Sequence, residues 1–279
     1  MADEFYTSLG VTILTDLPGE IKFPKLTSGG TAYWVPENGE ITESALTAAM
    51  LTMKPKKVCA LTVFSNTLAH FTSPNLENLL RRNFTRLLNN KIAPAMLIGS
   101  GHSGEPVGLS NMTGINTHAI GTNGGTFDFV QADRMLGTLE DDDADKGNVS
   151  YIAHPKVWRK MKQLRVAQFA GDTGGEYSYL PLSMANLSER IGYPINKTTL
   201  LPTDLAKGTV TTGLSYVFCG NWSDLLLGFF GGMRIGISDS AGTAFEHDQT
   251  KIKIVMEADV QVYHEESFCV CSDADTTGA

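Results

Sequence analysis

The stretch from Ser73 to Leu97 constrains this chain more than any other. It reads SPNLENLLRRNFTRLLNNKIAPAML and predicts one long amphipathic helix. Ser73 suits the N-cap, because its hydroxyl can accept from the free N–H groups of the first turn. Pro74 fits the first helical position, where no N–H is needed. Glu77 lies at the positive end of the helix dipole. Leu76, Leu79, Leu80, Leu87 and Leu88 recur at three- and four-residue spacing, with Phe84 on a neighbouring row. Arg81, Arg82, Arg86, Asn89 and Asn90 fill the other face. About 24 residues at ~1.5 Å each give a rod of roughly 36 Å. Pro94 is expected to kink the rod or end it early.

A chain of 279 residues with 42% hydrophobic content can build one large core or two modest ones. Charged residues are 19% of it, below a globular level of ~25%, and glycines number 28. A surface so short of charge fits either extensive cover by neighbouring subunits or a loop-rich β monomer. The net charge of −8 argues against a nucleic-acid grip. The nearest basic clusters, Lys54/Lys56/Lys57 and Arg159/Lys160/Lys162/Arg165, are short and read as solvated faces. Cys59, Cys219, Cys269 and Cys271 have neither zinc-site nor disulfide-framework spacing. Cys269 and Cys271 alternate with Val270 and read as buried thiols on one side of a strand. Without a signal peptide or an 18-residue apolar run, the sequence predicts a soluble protein made in a reducing compartment.

Residues 1–30 are punctuated by Pro18-Gly19 and Ser28-Gly29-Gly30 and predict an extended arm with little core of its own. Thr31–Pro36 (TAYWVP) has strand composition, and Asn38-Gly39 after it is a strong turn signal. Ile41–Met53 is small and polar, and Val58–Phe64 (VCALTVF) reads as a strand. Together these predict a hairpin with its tip somewhere in 37–50, either projecting from the body or packed on the domain. Thr126–Glu140 is a predicted helix capped by Thr126, and Val149–Ala153 is a predicted strand. His154-Pro155 opens a helix over Lys156–Arg165, and Gly171–Tyr179 is a glycine-rich loop. Ile191–Leu201, Tyr216–Cys219 and Leu225–Phe230 read as strands, so 116–235 predicts a compact α/β domain. Lys251–Tyr263 alternates as an amphipathic strand. The small polar tail after Cys271 is expected to be disordered.

Chemistry-bearing motifs are weak. Gly99-Ser100-Gly101-His102-Ser103-Gly104 matches G-x-G-x-x-G by letter. A dinucleotide fingerprint needs a strand before it and a helix after it, whereas here a helix precedes and Pro106 follows. It reads as a tight loop. The acidic run Glu140–Asp145 fails as a calcium loop: counted from Asp141, Lys146 takes the glycine position and Ile152 the glutamate position. His154 reads as a pre-proline turn residue. No nucleophile elbow, H-E-x-x-H or Walker A loop occurs.

The order of segments is more specific than any motif. It comprises Ala32-Tyr33-Trp34-Val35-Pro36-Glu37-Asn38-Gly39, Lys54-Pro55-Lys56-Lys57, the long helix and Gly99-Ser100-Gly101. Glu105-Pro106-Val107-Gly108, His154-Pro155-Lys156-Val157-Trp158 and Gly192-Tyr193-Pro194-Ile195 follow. This order resembles the major capsid proteins of tailed bacteriophages with the HK97 fold. The resemblance implies an α+β class with an N-terminal arm (1–20) and an extended β-hairpin loop (21–62). It implies a peripheral domain with a spine helix (63–115), an axial α/β domain (116–235), and a peripheral return strand and tail (236–279). It implies a non-enzymatic shell protein, without cofactors, that self-assembles as hexamers and pentamers into an icosahedral head around double-stranded DNA. DNA would be enclosed without sequence-specific binding, and no membrane would be involved. Cement, scaffolding and portal proteins are implied partners. The virion capsid is the implied location, after assembly in the host bacterial cytoplasm. Inter-subunit roles fall on Tyr33, Trp34, Glu37, Asn38, Glu40 and Glu43 of the hairpin and on Arg81, Arg82 and Arg86 of the helix. Trp34 serves either as an anchor on a neighbour or as a core residue at the hairpin root. The leucine row would pack on a sheet built with Lys251–Tyr263.

Family precursors often begin with a scaffolding-like segment that is cleaved. This chain begins at the arm, which implies a mature form or a separate scaffold. Some relatives link a hairpin-tip lysine to a neighbour, but no lysine occurs between Thr42 and Met53, so a non-covalent shell is expected. Two other readings remain: an encapsulin-type compartment of the same fold, and a soluble α/β nucleotide-binding enzyme using the loop around Gly101.

Overall fold

The first residues already depart from the expected extended arm. In this computed structural model, which describes residues 3–28, 30, 32–44, 47–67, 75–163, 165–166, 178–179 and 184–278, Asp3–Leu9 form helix α1. Tyr6 and Leu9 lie one turn apart and, with Val11, are buried in the main core. A Schellman motif ends the helix. The Val11 N–H donates to the Tyr6 carbonyl and the Gly10 N–H to the Thr7 carbonyl, each at 3.2 Å, with Gly10 at φ +75°. Two buried residues in one short helix are too few to show as periodicity.

Strand β1 (Thr12–Leu14) follows, then a two-stranded ribbon of β2 (Ile21–Ser28) and β3 (Thr47–Met53). The run read as a strand from Thr31 to Pro36 has no ladder partner over residues 32–36, and Thr31 lies outside the described residues. Composition favours a strand there, but a strand also needs an edge to pair with. Next come β4 (Lys56–Ser65) and the long helix α2 (Asn75–Ile98). Ser73, Pro74 and the side chains of Leu76, Leu79 and Arg81 lie outside the described residues. Pro94 sits inside α2 without ending it. The carbonyl it leaves without a donor belongs to Asn90, which is exposed, so water can take that bond. The buried row also differs from the leucine row. Phe84, Leu88, Ile92 and Met96 are buried at four-residue spacing, while Leu87 is 41% exposed.

The rest of the chain forms β5 (Asn116–His118), α3 (Phe129–Asp141), β6 (Val149–Ala153), α4 (Pro155–Lys162), β7 (Arg165–Val166), β8 (Ser178–Tyr179) and α5 (Met184–Ile191). It continues through β9 (Ile195–Lys197), β10 (Leu205–Lys207), β11 (Val210–Asn221), β12 (Leu225–Phe229), β13 (Arg234–Ser238), β14 (Gln249–Val262) and β15 (Phe268–Asp275). Helix α3 is capped by Asp128 rather than Thr126: the Asp128 carboxylate accepts from the Gln131 N–H at 2.9 Å. Ile191 ends a helix instead of starting a strand, and His154 caps α4 by accepting the Lys156 N–H at 3.2 Å. The loop 171–177 lies outside the described residues.

Two sheets organise these elements. In the first, β14 pairs with β4 along one edge and with β12 and β13 along the other, and β1 adds in parallel to β12. Phe84 and Leu88 of α2 pack on Ile252 and Ile254 of β14. The second sheet runs β5-β15-β11-β6-β9, with β10 on β11. One face carries α3, α4 and α5, burying Met135, Leu139, Trp158, Met161 and Leu187 against Tyr151, Val217, Cys219, Cys269 and Cys271. Its other face sends Ile152, Phe218 and Val270 into the core shared with α1 and α2.

The chain after Cys271 is therefore not a disordered tail. It completes β15, with Asp273 and Ala274 buried. Asp273 explains why a polar sequence can be ordered there. Its carboxylate accepts from the Ile120 N–H at 3.0 Å and from the Lys207 ammonium at 2.6 Å. Burial opposes its ionisation, but Lys207, Cys271 and the Ile120 and Gly121 N–H groups outweigh that and hold the carboxyl below its usual range. A carboxyl with a lowered folded pKa stabilises the fold above its unfolded value, and that support is lost as pH falls through the folded value. Asp273→Asn is expected to lower stability at pH 7, and the gap to the parent chain should close as pH drops below about 4, read by urea melts across pH. Phe84→Ala should cost about 3–5 kcal/mol in the same melts at pH 7, because the cavity opens beneath the long helix.

Candidate assembly surface

Lys25, in the middle of β2, makes an ion pair and hydrogen bond with Glu265. Three further contacts tie the β3 end of the ribbon to β14 and its neighbours. The Lys54 N–H donates to the buried Asp259 carboxylate at 2.8 Å, and Gln261 donates to the Thr52 carbonyl at 3.1 Å. Met53 is buried against Gly228. Burial raises the Asp259 carboxyl above its usual range, against the hydrogen bonds from Lys54 and Val260. These contacts fix the direction in which the ribbon leaves the body.

The ribbon carries a loop whose side chains have little cover. The turn sits at its tip: the Gly39 N–H donates to the Pro36 carbonyl at 2.9 Å, with Asn38 at φ +62°. Asn tolerates that left-handed conformation better than most residues, which is why Asn-Gly signals a turn. Tyr33 Oη lies 2.7 Å from Thr42 Oγ1 and 2.9 Å from the Thr42 carbonyl, clasping the two limbs. Trp34 is 102% exposed, Ile41 on the same loop is exposed, and so is Met50 of β3. Trp34 is thus no core residue at the hairpin root. Glu37, Asn38, Glu40 and Glu43 are exposed on the same loop. No Lys or Arg occurs between Leu26 and Met53, so the loop is acidic throughout.

The arginines named from sequence belong to a different element. Arg82 and Arg86 are exposed on α2, and the side chain of Arg81 lies outside the described residues. A groove that the sequence did not announce lies farther along the same helix. Its volume is about 340 Å³, and it runs between β4, α2 and the 103–106 turn. Val58, Ile92, Ala95 and Val260 line it, and Lys56, Lys57 and Lys91 supply charge. The lysine cluster at 54–57 was visible in the sequence, but only folding brings Lys91 to it.

The glycine loop forms the end of this groove and is a tight turn. The Gly101 N–H donates to the Pro106 carbonyl at 3.2 Å and the Gly108 N–H to the Gly99 carbonyl at 2.9 Å. Glu105 folds back to accept from the Ser100 hydroxyl at 2.7 Å and from the Ser100 N–H at 3.1 Å, which holds its carboxyl below the usual range. The loop spends its polar groups on itself. Cys219, Cys269 and Cys271 are buried, and burial pushes all three thiols up, away from nucleophilic thiolate. Among the described residues no cluster of His, Cys, Asp and Glu could hold a metal ion. The chemistry on offer is contact: apolar area, opposite charges and backbone hydrogen bonds.

Comparison with known proteins agrees with a contact surface. The chain is 22% identical over 263 residues to the major capsid protein of Halomonas phage phiHAP-1, covering 94% of this chain and 39% of that protein. It is also 22% identical to the major capsid protein of Klebsiella oxytoca phage phiKO2, covering 89% of this chain and 58% of that one. The chain thus spans well under two thirds of each of these relatives. Among solved structures, the capsid of a native GTA particle superposes with a TM-score of 0.73 at 12% identity, over 96% of this chain and 90% of that one. The corresponding figures for Microbacterium phage Oxtober96 are 0.69, 16%, 96% and 90%. The fold is the HK97 type seen in phage capsids. The model of the phage capsid family matches residues 7–273, nearly end to end, and the chain belongs to that family.

Proposed function

We propose that this chain is the structural shell protein of a phage head, assembling as hexamers and pentamers into an icosahedral container for double-stranded DNA. The observation that carries the proposal is the projecting loop. A fully exposed Trp34 on a ribbon pinned by Lys25, Lys54 and Met53 has no use in a free monomer. Exposed aromatic anchors of this kind concentrate binding energy when a partner covers them. Many copies, each with a modest contact, then hold a shell by multivalency.

In this reading the first sheet and α2 form the peripheral domain and the second sheet with α3 to α5 forms the axial domain, so β12 belongs to the peripheral part rather than to the expected 116–235 span, and β15 to the axial part rather than to 236–279. Residues 21–62 supply the extended hairpin, which lies over a neighbouring subunit. Tyr33, Trp34, Glu37, Asn38, Glu40 and Glu43 contact that neighbour, while Arg82 and Arg86 face the shell interior or another subunit. The acidic balance suits enclosure of DNA without sequence-specific binding, since a basic lining would hold the genome against ejection. Without a lysine in the loop the shell is held non-covalently. Scaffolding, portal and cement proteins complete assembly in the host bacterial cytoplasm. The curated relatives are phage major capsid proteins, which favours this reading over an encapsulin-type compartment or a nucleotide-binding enzyme.

Electron microscopy and sizing of the purified protein test the assignment. Closed shells or capsomers are expected, whereas a monomer of about the chain mass of 30.1 kDa at every concentration would overturn it. Replacing residues 32–43 with a short Gly-Ser link should leave the circular dichroism of the subunit intact and abolish particles. Trp34→Ala is expected to raise the concentration needed for assembly at least ten-fold, as the loss of about 2 kcal/mol at a contact hot spot would do.

A further inference from the structure

Two features of this chain are each incomplete alone. Ala32–Pro36 (AYWVP) has the aromatic and β-branched composition of a strand, yet makes no ladder among the described residues. Strand β4 is the converse. It pairs with β14 through ten rungs along one edge, and among the described residues no strand occupies the other edge. Edge strands are normally blunted by charge, proline or a bulge. The run from Val58 to Phe64 has neither a charge nor a proline, and its register with β14 is unbroken.

The groove gives this open edge a preferred occupant. It follows the start of β4 from Lys56 to Cys59, with Ile92 and Ala95 of α2 beside it. Three lysines against the single carboxylate of Glu105, on an apolar slot, leave a net positive lining that suits an acidic segment bearing a large apolar side chain. The hairpin loop carries Glu37, Glu40 and Glu43, lacks any basic residue, and exposes Trp34 completely. The loop cannot readily serve its own β4. The six residue steps of β3 from Met53 to Thr47, at about 3.3 Å each, carry it roughly 20 Å from Met53, next to which β4 begins.

We propose that residues 32–36 of one copy add as a further strand to the open edge of β4 in a second copy. This deepens the assembly reading and rests on it. Backbone hydrogen bonds along β4 supply affinity, and alternate side chains supply specificity. Trp34 enters the groove on the Val58 side of the sheet, towards Ile92 and Ala95. Tyr33 and Val35 then lie on the opposite face, the face that carries Cys59. Glu37 and Glu40 follow the strand to the lysines at the rim.

Cys59 makes the pairing testable, because it is exposed while the other three thiols are buried. Cysteine is placed at residues 32 to 36 one position at a time, and assembled particles are treated with a mild oxidant. Tyr33→Cys and Val35→Cys should give chains cross-linked between subunits on non-reducing gels, lost when Cys59→Ser is added. Ala32→Cys, Trp34→Cys and Pro36→Cys should link at least ten-fold less, since their side chains point to the other face. Intact particles with no cross-link at any position, or with equal cross-linking at all that assemble, would overturn strand addition while leaving the shell assignment standing. A parent chain that never forms particles would overturn both.

Discussion

The packing of α2 across β14 is the constraint on which the rest depends. Phe84, Leu88, Ile92 and Met96 form one ridge along the helix, and Ile252, Ile254, Val260 and Val262 of β14 meet it. Each fully buried side chain of this size contributes about 1.5–3 kcal/mol. The ridge therefore outweighs local defects, including the hydrogen bond that Pro94 cannot make. Because β14 has strands on both edges, fixing it against α2 also fixes β4, β12 and β13. The ribbon leaves the body beside that same strand, through Lys54 on Asp259 and Thr52 on Gln261. The direction of the projecting loop is thus set by the helix–strand contact, several residues away from any loop side chain.

The two sheets are joined by the chain ends as well as by the core. Helix α1 inserts Tyr6 and Leu9 beside Trp222, and the Leu9 carbonyl accepts from the Asn148 side chain at 2.5 Å. Trp222 itself donates to the Ser150 carbonyl at 2.9 Å, linking the β11–β12 connection to β6. At the other terminus β15 lies between β5 and β11. Helix α1 runs into β1 of the first sheet and is tied through Asn148 to the start of β6 in the second, while β15 is interior to the second sheet. Among the described residues the hairpin loop carries the most exposed large apolar side chain, Trp34.

Much of this architecture was legible in the sequence where periodicity is long. The α2 helix, the β14 alternation, the β4 run and the Asn38-Gly39 turn carry enough repeats or turn chemistry to stand alone. The ordered segments with mainly non-local causes were not legible. Helix α1 has only a turn or two to show its pattern. Residues after Cys271 look like a polar tail because Asp273 is buried by partners at 120, 121 and 207, which no local window contains. Leu87 and Leu88 are equally hydrophobic in sequence, and only the four-residue ridge decides that Leu88 goes inside. The hairpin loop residues could be named in advance because an aromatic pair beside an acidic turn is a local signal. The lysine groove could not, since Lys91 joins Lys56 and Lys57 through tertiary contact alone.

A mismatch between local preference and observed state is itself informative. Natural sequences tend to agree with their fold at every level, and departures collect where function lies. Here the departures include two complementary ones, on the hairpin loop and on the β4 edge. Among the described residues, strand-forming residues at 32–36 have no ladder, the uncharged edge of β4 has no neighbouring strand, and Trp34 has no cover. A monomer would gain from a charge or proline within the β4 edge, as protection against random association. Their joint presence makes sense if association is the purpose and if the geometry of the ribbon chooses the partner. The burial that an ordinary domain completes within itself is then completed between copies, and the low charge content of the chain follows from the same cause.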